Sequence, residues 1–321
     1  MTQMQAATLV APEIIEIQTV AIPEITPDEV LVQIEGCGVC ASNIPPFEGR
    51  EWFSYPMEAG QLGHESWGRI VQTGADVKDL REGQRVSMLS NHAYAEFDKA
   101  SQSAVVALPE SLDETPFPGE PLGCALNIFA RSGIKSGDTV AIVGIGFLGA
   151  LLTQLAKRAG ATVYAIGRRQ FSLDFARQFG ADETIEMDDH WRIIETAKNL
   201  TGGRFCDVVV EAVGKEWPLN LAAELCRERG RLIVAGYHQD GLRNVNMQLW
   251  GWRGLDVINA HERDEAVYTR GISNAAEAVA KSELDPSSLY THVLPLEQLG
   301  EALTLTRARP DGFMKALIEF R

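Results

Sequence analysis

The sequence predicts an α/β protein in which a doubly wound parallel sheet follows a mainly β domain. Three observations carry that prediction. Between residues 139 and 259, apolar strands alternate with helical segments, the pattern of a parallel sheet covered on both faces. The first of those strands runs into Gly144-Ile145-Gly146-Phe147-Leu148-Gly149, a glycine-rich turn that opens a helix. Residues 1 to about 125 instead carry short β-rich runs punctuated by glycine and proline, as in a partly open barrel or sandwich.

In order along the chain, Val30–Glu35 and Trp67–Gln72 alternate as half-buried strands, the second ending at the turn pair Thr73-Gly74. Gln84–Phe97 reads as two short strands around Ser90-Asn91. Thr139–Val143, Thr162–Ile166, Asp207–Val210, Arg231–Ala235 and Leu255–Asn259 are the buried strands of the central region. Helical spacing covers Phe147–Arg158, Phe171–Phe179 and Pro218–Arg229, the last with a proline near its start, where it is tolerated. From about residue 262 the pattern is mixed, and it ends in an apolar strand, Lys315–Phe320, expected to rejoin the first domain. The expected organisation is therefore residues 1–125, 126–261 and 262–321.

Composition narrows the functional classes. A chain of 321 residues with 45% hydrophobic residues supports two real cores and excludes wholesale disorder. Its formal charge of -15 repels phosphate backbones and anionic lipid surfaces, so neither nucleic acid nor a membrane is an expected partner. A nucleotide cofactor needs only a local positive site and stays allowed. Met1–Gln18 shows no basic segment followed by an apolar run, and no stretch is long and apolar enough for a bilayer. With five cysteines, an odd count, reduced thiols or metal ligands are expected rather than a disulfide framework, and a cytoplasmic location is the default.

The glycine-rich turn has a specific chemistry. Gly144 turns the chain tightly, Gly146 lets backbone approach a pyrophosphate, and Gly149 lets the helix pack on the strand. Phe147 and Leu148 open that helix, whose free N–H groups and partial positive charge favour phosphate. The end of the second strand then selects the cofactor. An acidic residue there would bind the ribose 2′-hydroxyl of NAD. Here Ile166 is followed by Gly167-Arg168-Arg169, which leaves room for a 2′-phosphate and offers guanidinium groups to clamp it. NADP is the expected cofactor, with NAD second.

A further constellation lies in the first domain: Cys40 and Ser42 in Gly38–Asn43, His64-Glu65 after Gly63, and Glu120 with Cys124 in Glu120–Cys124. Thiolate, imidazole and carboxylates are zinc donors. By themselves they equally describe a buried cysteine and a satisfied core histidine. Other runs add weight: Gly63–Val71, Gly83–Val86, Tyr94–Phe97, Thr291–Leu296 and Asp311–Leu317. With these, the chain resembles the zinc-containing medium-chain dehydrogenases, the alcohol and polyol dehydrogenases, over nearly its whole length.

The resemblance implies a Rossmann domain beside a GroES-like catalytic domain, assembled as a homodimer or homotetramer. It implies that Cys40 and His64 ligate one catalytic zinc. Glu65 is then a third ligand or a nearby carboxylate exchanging with water. Glu120 matches the carboxylate that polyol dehydrogenases hold near the metal, and Cys124 falls where alcohol dehydrogenases place a cysteine ligand. Ser42 matches the hydroxyl that relays the substrate proton. The implied reaction is reversible, NADP-dependent oxidation of an alcohol, with Glu120 tilting the choice towards a polyol or sugar alcohol.

Three departures from the family pattern stand out. Ser87 runs almost directly to Tyr94, without the four-cysteine lobe, so no structural zinc is expected. Asn43 replaces an aspartate that supports the ligand histidine, which weakens the expected metal affinity. Pro45 stands where some relatives carry a relay histidine. Phe47, Trp52, Phe53 and Tyr55 follow the first ligand, where relatives line the substrate pocket. The missing lobe supports a second reading, a zinc-free NADPH-dependent enone or quinone reductase. A third is an NADP-binding protein without turnover.

Overall fold

The computed structural model describes residues 2–320. The N-terminal part holds β1 (Gln3–Ala11), β2 (Ile14–Ala21), β3 (Glu29–Gly38), helix α1 (Ile44–Glu48), β4 (Ser66–Thr73), β5 (Arg85–Met88), β6 (Phe97–Ser101) and β7 (Val105–Ala107). Next come α2 (Gly119–Ser132), β8 (Thr139–Val143), α3 (Phe147–Arg158), β9 (Thr162–Gly167), α4 (Gln170–Gln178), β10 (Glu183–Glu186) and α5 (His190–Leu200). These are followed by β11 (Cys206–Glu211), α6 (Glu216–Leu225), β12 (Cys226–Val234), α7 (Met247–Arg253) and β13 (Asp256–Asn259). The chain closes with α8 (Glu265–Ala280), β14 (Tyr290–Pro295), α9 (Leu299–Ala308) and β15 (Lys315–Glu319).

The chain forms two compact units, one of Met1–Cys124 with Arg263–Arg321 and one of Ala125–Glu262. In the second, six parallel strands run in the order β10-β9-β8-β11-β12-β13. The order reverses direction between β8 and β11, which makes a topological switch point. Ala141, Val143, Ile166, Val209 and Leu232 are buried in its core, as strands covered on both faces require. In the first unit a sheet runs β14-β15-β3-β4-β5-β7, with β6 also paired to β3. Here β15 pairs antiparallel with β3, matching Leu317 to Gly38, so the C-terminal strand lies beside the strand leading to Cys40. This is the predicted α/β fold, a Rossmann-type parallel sheet with a strand-rich GroES-like domain.

Two sequence expectations are corrected. The second strand expected within Gln84–Phe97 does not form: β5 ends at Met88 and β6 starts at Phe97. The intervening backbone bonds elsewhere, with Ala93 N–H donating to Gly63 O at 3.0 Å and Tyr94 N–H to Gly60 O at 3.1 Å. The helix expected over Pro218–Arg229 stops at Leu225, and Cys226 already pairs with Cys206 in the parallel sheet. The polar run Arg227-Glu228-Arg229 continues an amphipathic pattern, but Arg229 adopts φ 54°, which no helix accommodates.

Candidate functional site

Sheet register builds the first cluster. In the β3–β4 pairing Cys37 lies opposite Ser66, and Gly38 N–H donates to Glu65 O at 3.0 Å. The chain leaving β3 therefore meets the chain entering β4, which brings Cys40 to His64 and Glu65. Their ligand atoms lie within 4.8 Å of one another, and this is the only such group of three among the described residues. Gly38 is required here because a Cβ would sit 1.9 Å from Glu65 Oε2.

A hydrogen-bond relay aims the imidazole. His64 Nδ1 donates to Leu62 O at 2.9 Å, which leaves Nε2 for Cys40 and a metal. Asn43 lies beside this relay. It makes no bond to His64; its Nδ2 donates instead to Leu62 O at 3.1 Å and to Tyr94 Oη at 2.8 Å. Tyr94, fully buried, donates on to Gly38 O at 3.2 Å. An amide serves this position because it must donate twice, to a carbonyl and a phenol, where an aspartate could only accept. Burial draws the His64 pKa down, but the hydrogen bond and charge of Cys40, with Glu120 and Glu65, outweigh it and hold it at about 10. Ser42 Oγ lies 3.5 Å from His64 Nε2.

Glu65 has a partner the sequence reading missed. Buried Lys315 brings Nζ to 2.7 Å from Glu65 Oε1 and 2.5 Å from Oε2, and donates to Val39 O at 3.1 Å. Its only signal in the sequence was a cation opening an otherwise apolar terminal strand. Glu120 and Cys124 stand apart from the three-residue group, one turn apart on α2. Glu120 Oε1 accepts from Cys124 Sγ at 3.2 Å and from Tyr268 Oη at 2.9 Å. Tyr268, on α8, is the second residue the sequence reading missed. Burial and then the Glu120 charge push the Cys124 thiol well above its ordinary range.

Of the four aromatics after Cys40, Phe47 is buried in the core. Tyr55 bonds Pro46 O. Trp52 is exposed and rests against Phe53 with ring centroids 5.9 Å apart.

In the second unit, Gly144 adopts φ 103° and its N–H bonds Ile166 O at 2.8 Å, which makes the tight turn. Gly146 caps α3, and a Cβ there would meet nothing within 4 Å, so the open side can take a phosphate. A Cβ on Gly149 would lie 2.0 Å from Gly144 O, so only glycine lets the helix seat this closely. Gly167 ends β9, Arg168 is exposed beside it, and Arg169 caps α4. This turn fits a dinucleotide, and the Cys40–His64–Glu65 donors fit zinc.

Comparison with known proteins agrees with this geometry. Residues 26–115 match the alcohol dehydrogenase GroES-like domain family, and residues 148–277 match the zinc-binding dehydrogenase family. The chain belongs to the zinc-type medium-chain dehydrogenase superfamily. This zinc-type dehydrogenase is 26% identical to sorbitol dehydrogenase of Bacillus subtilis, over 98% of the chain and 97% of that protein. It is 26% identical to D-xylulose reductase of Saccharomyces cerevisiae, over 99% and 98%. A Sinorhizobium meliloti protein described as a zinc-binding dehydrogenase, solved bound to NADP, superposes with TM-score 0.86 at 25% identity over 100% of both chains. Galactitol-1-phosphate dehydrogenase of Escherichia coli shares the fold with TM-score 0.85 at 23% identity, over 99% of this chain and 100% of that one. The protein is an oxidoreductase of the alcohol dehydrogenase kind, and no helix among the described residues is long and apolar enough to cross a membrane.

Proposed function

We propose that the chain oxidises a polyol or sugar alcohol to the corresponding carbonyl, reversibly, with NADP and one catalytic zinc. The observation that carries this reading is the convergence of Cys40, His64 and Glu65. When bound, the metal supplies Lewis acidity to the alcohol oxygen, and the nicotinamide supplies the hydride acceptor. Cys40 and His64 would hold the metal, with Leu62 O fixing the imidazole. Lys315 holds the Glu65 carboxylate close by, where it would serve as a third ligand or as a nearby carboxylate. Glu120 is favoured over Cys124 for the remaining position. The Glu120 carboxylate is the acceptor of the pair, taking bonds from Cys124 Sγ and Tyr268 Oη, and it can ligate without first losing a proton. Ser42 takes the substrate proton and passes it to water, since Pro45 offers no imidazole beyond it.

The relatives named for sorbitol and xylulose support the substrate class. The end of β9 supports NADP, because Gly167-Arg168 replaces a carboxylate there, and the Sinorhizobium protein was solved with NADP. Copies meet through the β13 edge, where α7 buries none of its residues and Trp252 is 85% exposed. The lobe-free link between β5 and β6 favours a second reading, the zinc-free enone or quinone reductase.

One steady-state experiment separates these readings: polyols, sugar alcohols, enones and quinones with NADP and NAD, on the wild type and Arg168→Ala. Polyol turnover with NADP is expected, and Arg168→Ala should raise the KM for NADP by about 10- to 100-fold and that for NAD far less. Turnover confined to enones and quinones would sink the alcohol reading. An equal rise for both nucleotides would sink the NADP reading.

A further inference from the structure

A polar cluster joins two loops at the carboxyl ends of neighbouring strands in the second unit. Glu211 ends β11 and is fully buried. Its Oε1 accepts from Val213 N–H at 2.7 Å and Gly214 N–H at 2.8 Å, and its Oε2 lies 3.0 Å from His238 Nε2. On the other side of the ring, Arg243 Nε donates to His238 Nδ1 at 2.9 Å. A guanidinium can only donate, so Nδ1 is the acceptor and Nε2 carries the proton. His238 is thereby held in one neutral tautomer, donating to Glu211 and accepting from Arg243. Arg243 also donates to Gly214 O at 3.1 Å and pairs with Asp240, which Lys215 pairs in turn.

These bonds fasten the loop after β12 onto the loop after β11. The backbones touch: a Cβ on Gly236 would lie 2.2 Å from Gly214 N, and one on Gly214, at φ 79°, would lie 2.5 Å from Tyr237 O. The β11 loop then abuts the glycine-rich turn, because a Cβ on Gly144 would lie 2.5 Å from Val213 Cγ2. Contact therefore runs unbroken from Arg243 through His238, Glu211 and Val213 to the first glycine of the dinucleotide turn.

Its place in the sheet tells what it serves. A dinucleotide crosses a doubly wound sheet at the switch point, one nucleotide half to each side. On the NADP reading, the residues that would meet the adenine ribose, Gly167-Arg168-Arg169, lie at the end of β9, on one side of β8. The clasp ends β11 and β12, on the other side. We propose that the Glu211–His238–Arg243 clasp is a positioning device for the nicotinamide half of the cofactor, holding both loops in the shape that half meets. The proposal rests on the reading of the chain as a nicotinamide dinucleotide enzyme.

Binding of NADPH and of 2′,5′-ADP, the adenine-side fragment, tests it by fluorescence and calorimetry. His238→Ala should weaken NADPH by about tenfold or more and leave 2′,5′-ADP within about twofold, since it leaves a buried carboxylate oxygen unpaired beside one half only. His238→Gln should restore most of the loss, because one amide carries both the donor for Glu211 and the acceptor for Arg243. Arg243→Met, which keeps the bond between His238 and Glu211, should show the same split and stands in if His238→Ala does not fold. Unchanged NADPH affinity in the variants, or equal weakening of both ligands, would overturn the proposal. A wild type that binds neither these ligands nor NADH would overturn the cofactor reading on which it stands.

Discussion

Replacing Cys40 with serine should lower kcat for polyol oxidation by about a thousandfold or more while leaving the Kd for NADPH within about twofold. Lewis-acid stabilisation is worth several kcal/mol, and each 1.36 kcal/mol is a factor of ten in rate. The sulfur is one of three ligand atoms within 4.8 Å, so its loss removes the thiolate donor from the group. Nucleotide affinity should not move, because the glycine-rich turn belongs to a different compact unit. Stopped-flow turnover and nucleotide fluorescence measure the two quantities. A Cys40→Ser protein turning over polyols at the wild-type rate would refute a metal-assisted mechanism.

Lys315→Met should destabilise the fold by about 3–5 kcal/mol, the cost of leaving one member of a buried ion pair uncompensated. Lys315 and Glu65 are both buried, and their charged atoms are 2.5 Å apart at the shortest. Glu65 cannot retreat to solvent, because it is enclosed by β3, β4 and β15 and crowds Gly38. Pairing Lys315→Met with Glu65→Gln should recover much of the loss, since the orphaned charge is then gone. Denaturant midpoints of the three variants measure this. A Lys315→Met protein as stable as the wild type would show that the pair does not fix the Glu65 carboxylate.

The nucleotide-binding unit was largely legible in the sequence for a local reason. Its strands are apolar on both faces, and α3 occupies the predicted Phe147–Arg158 because periodicity and the glycine turn agree there. The α6–β12 junction misled because Arg227-Glu228-Arg229 keeps a helical polar pattern while Cys226 is already paired in the sheet. In the first domain the expected strand near Tyr94 was lost to glycine backbones at Gly60 and Gly63, a pairing that no period encodes.

The same distinction holds at the site. Cys40, His64 and Glu65 were visible from family motifs, yet their supports were not. Lys315 lies 250 residues from Glu65 and Tyr268 lies 148 from Glu120, so only the closed sheet and the packed helices bring them together. Asn43 is legible as a departure from the family aspartate, but the sequence shows the amide without the Leu62 carbonyl and Tyr94 phenol that it serves. His238 carries no motif, and its two ring partners, Glu211 and Arg243, are brought to it by the folded loops.

The most direct test of a zinc-dependent alcohol dehydrogenase here is the metal count per chain, after loading with excess zinc and dialysis into metal-free buffer. About one zinc per chain is predicted, as for a catalytic site without a structural one, and close to none in Cys40→Ser and His64→Ala. No retained zinc in the wild type, or equal retention in both variants, would contradict the account.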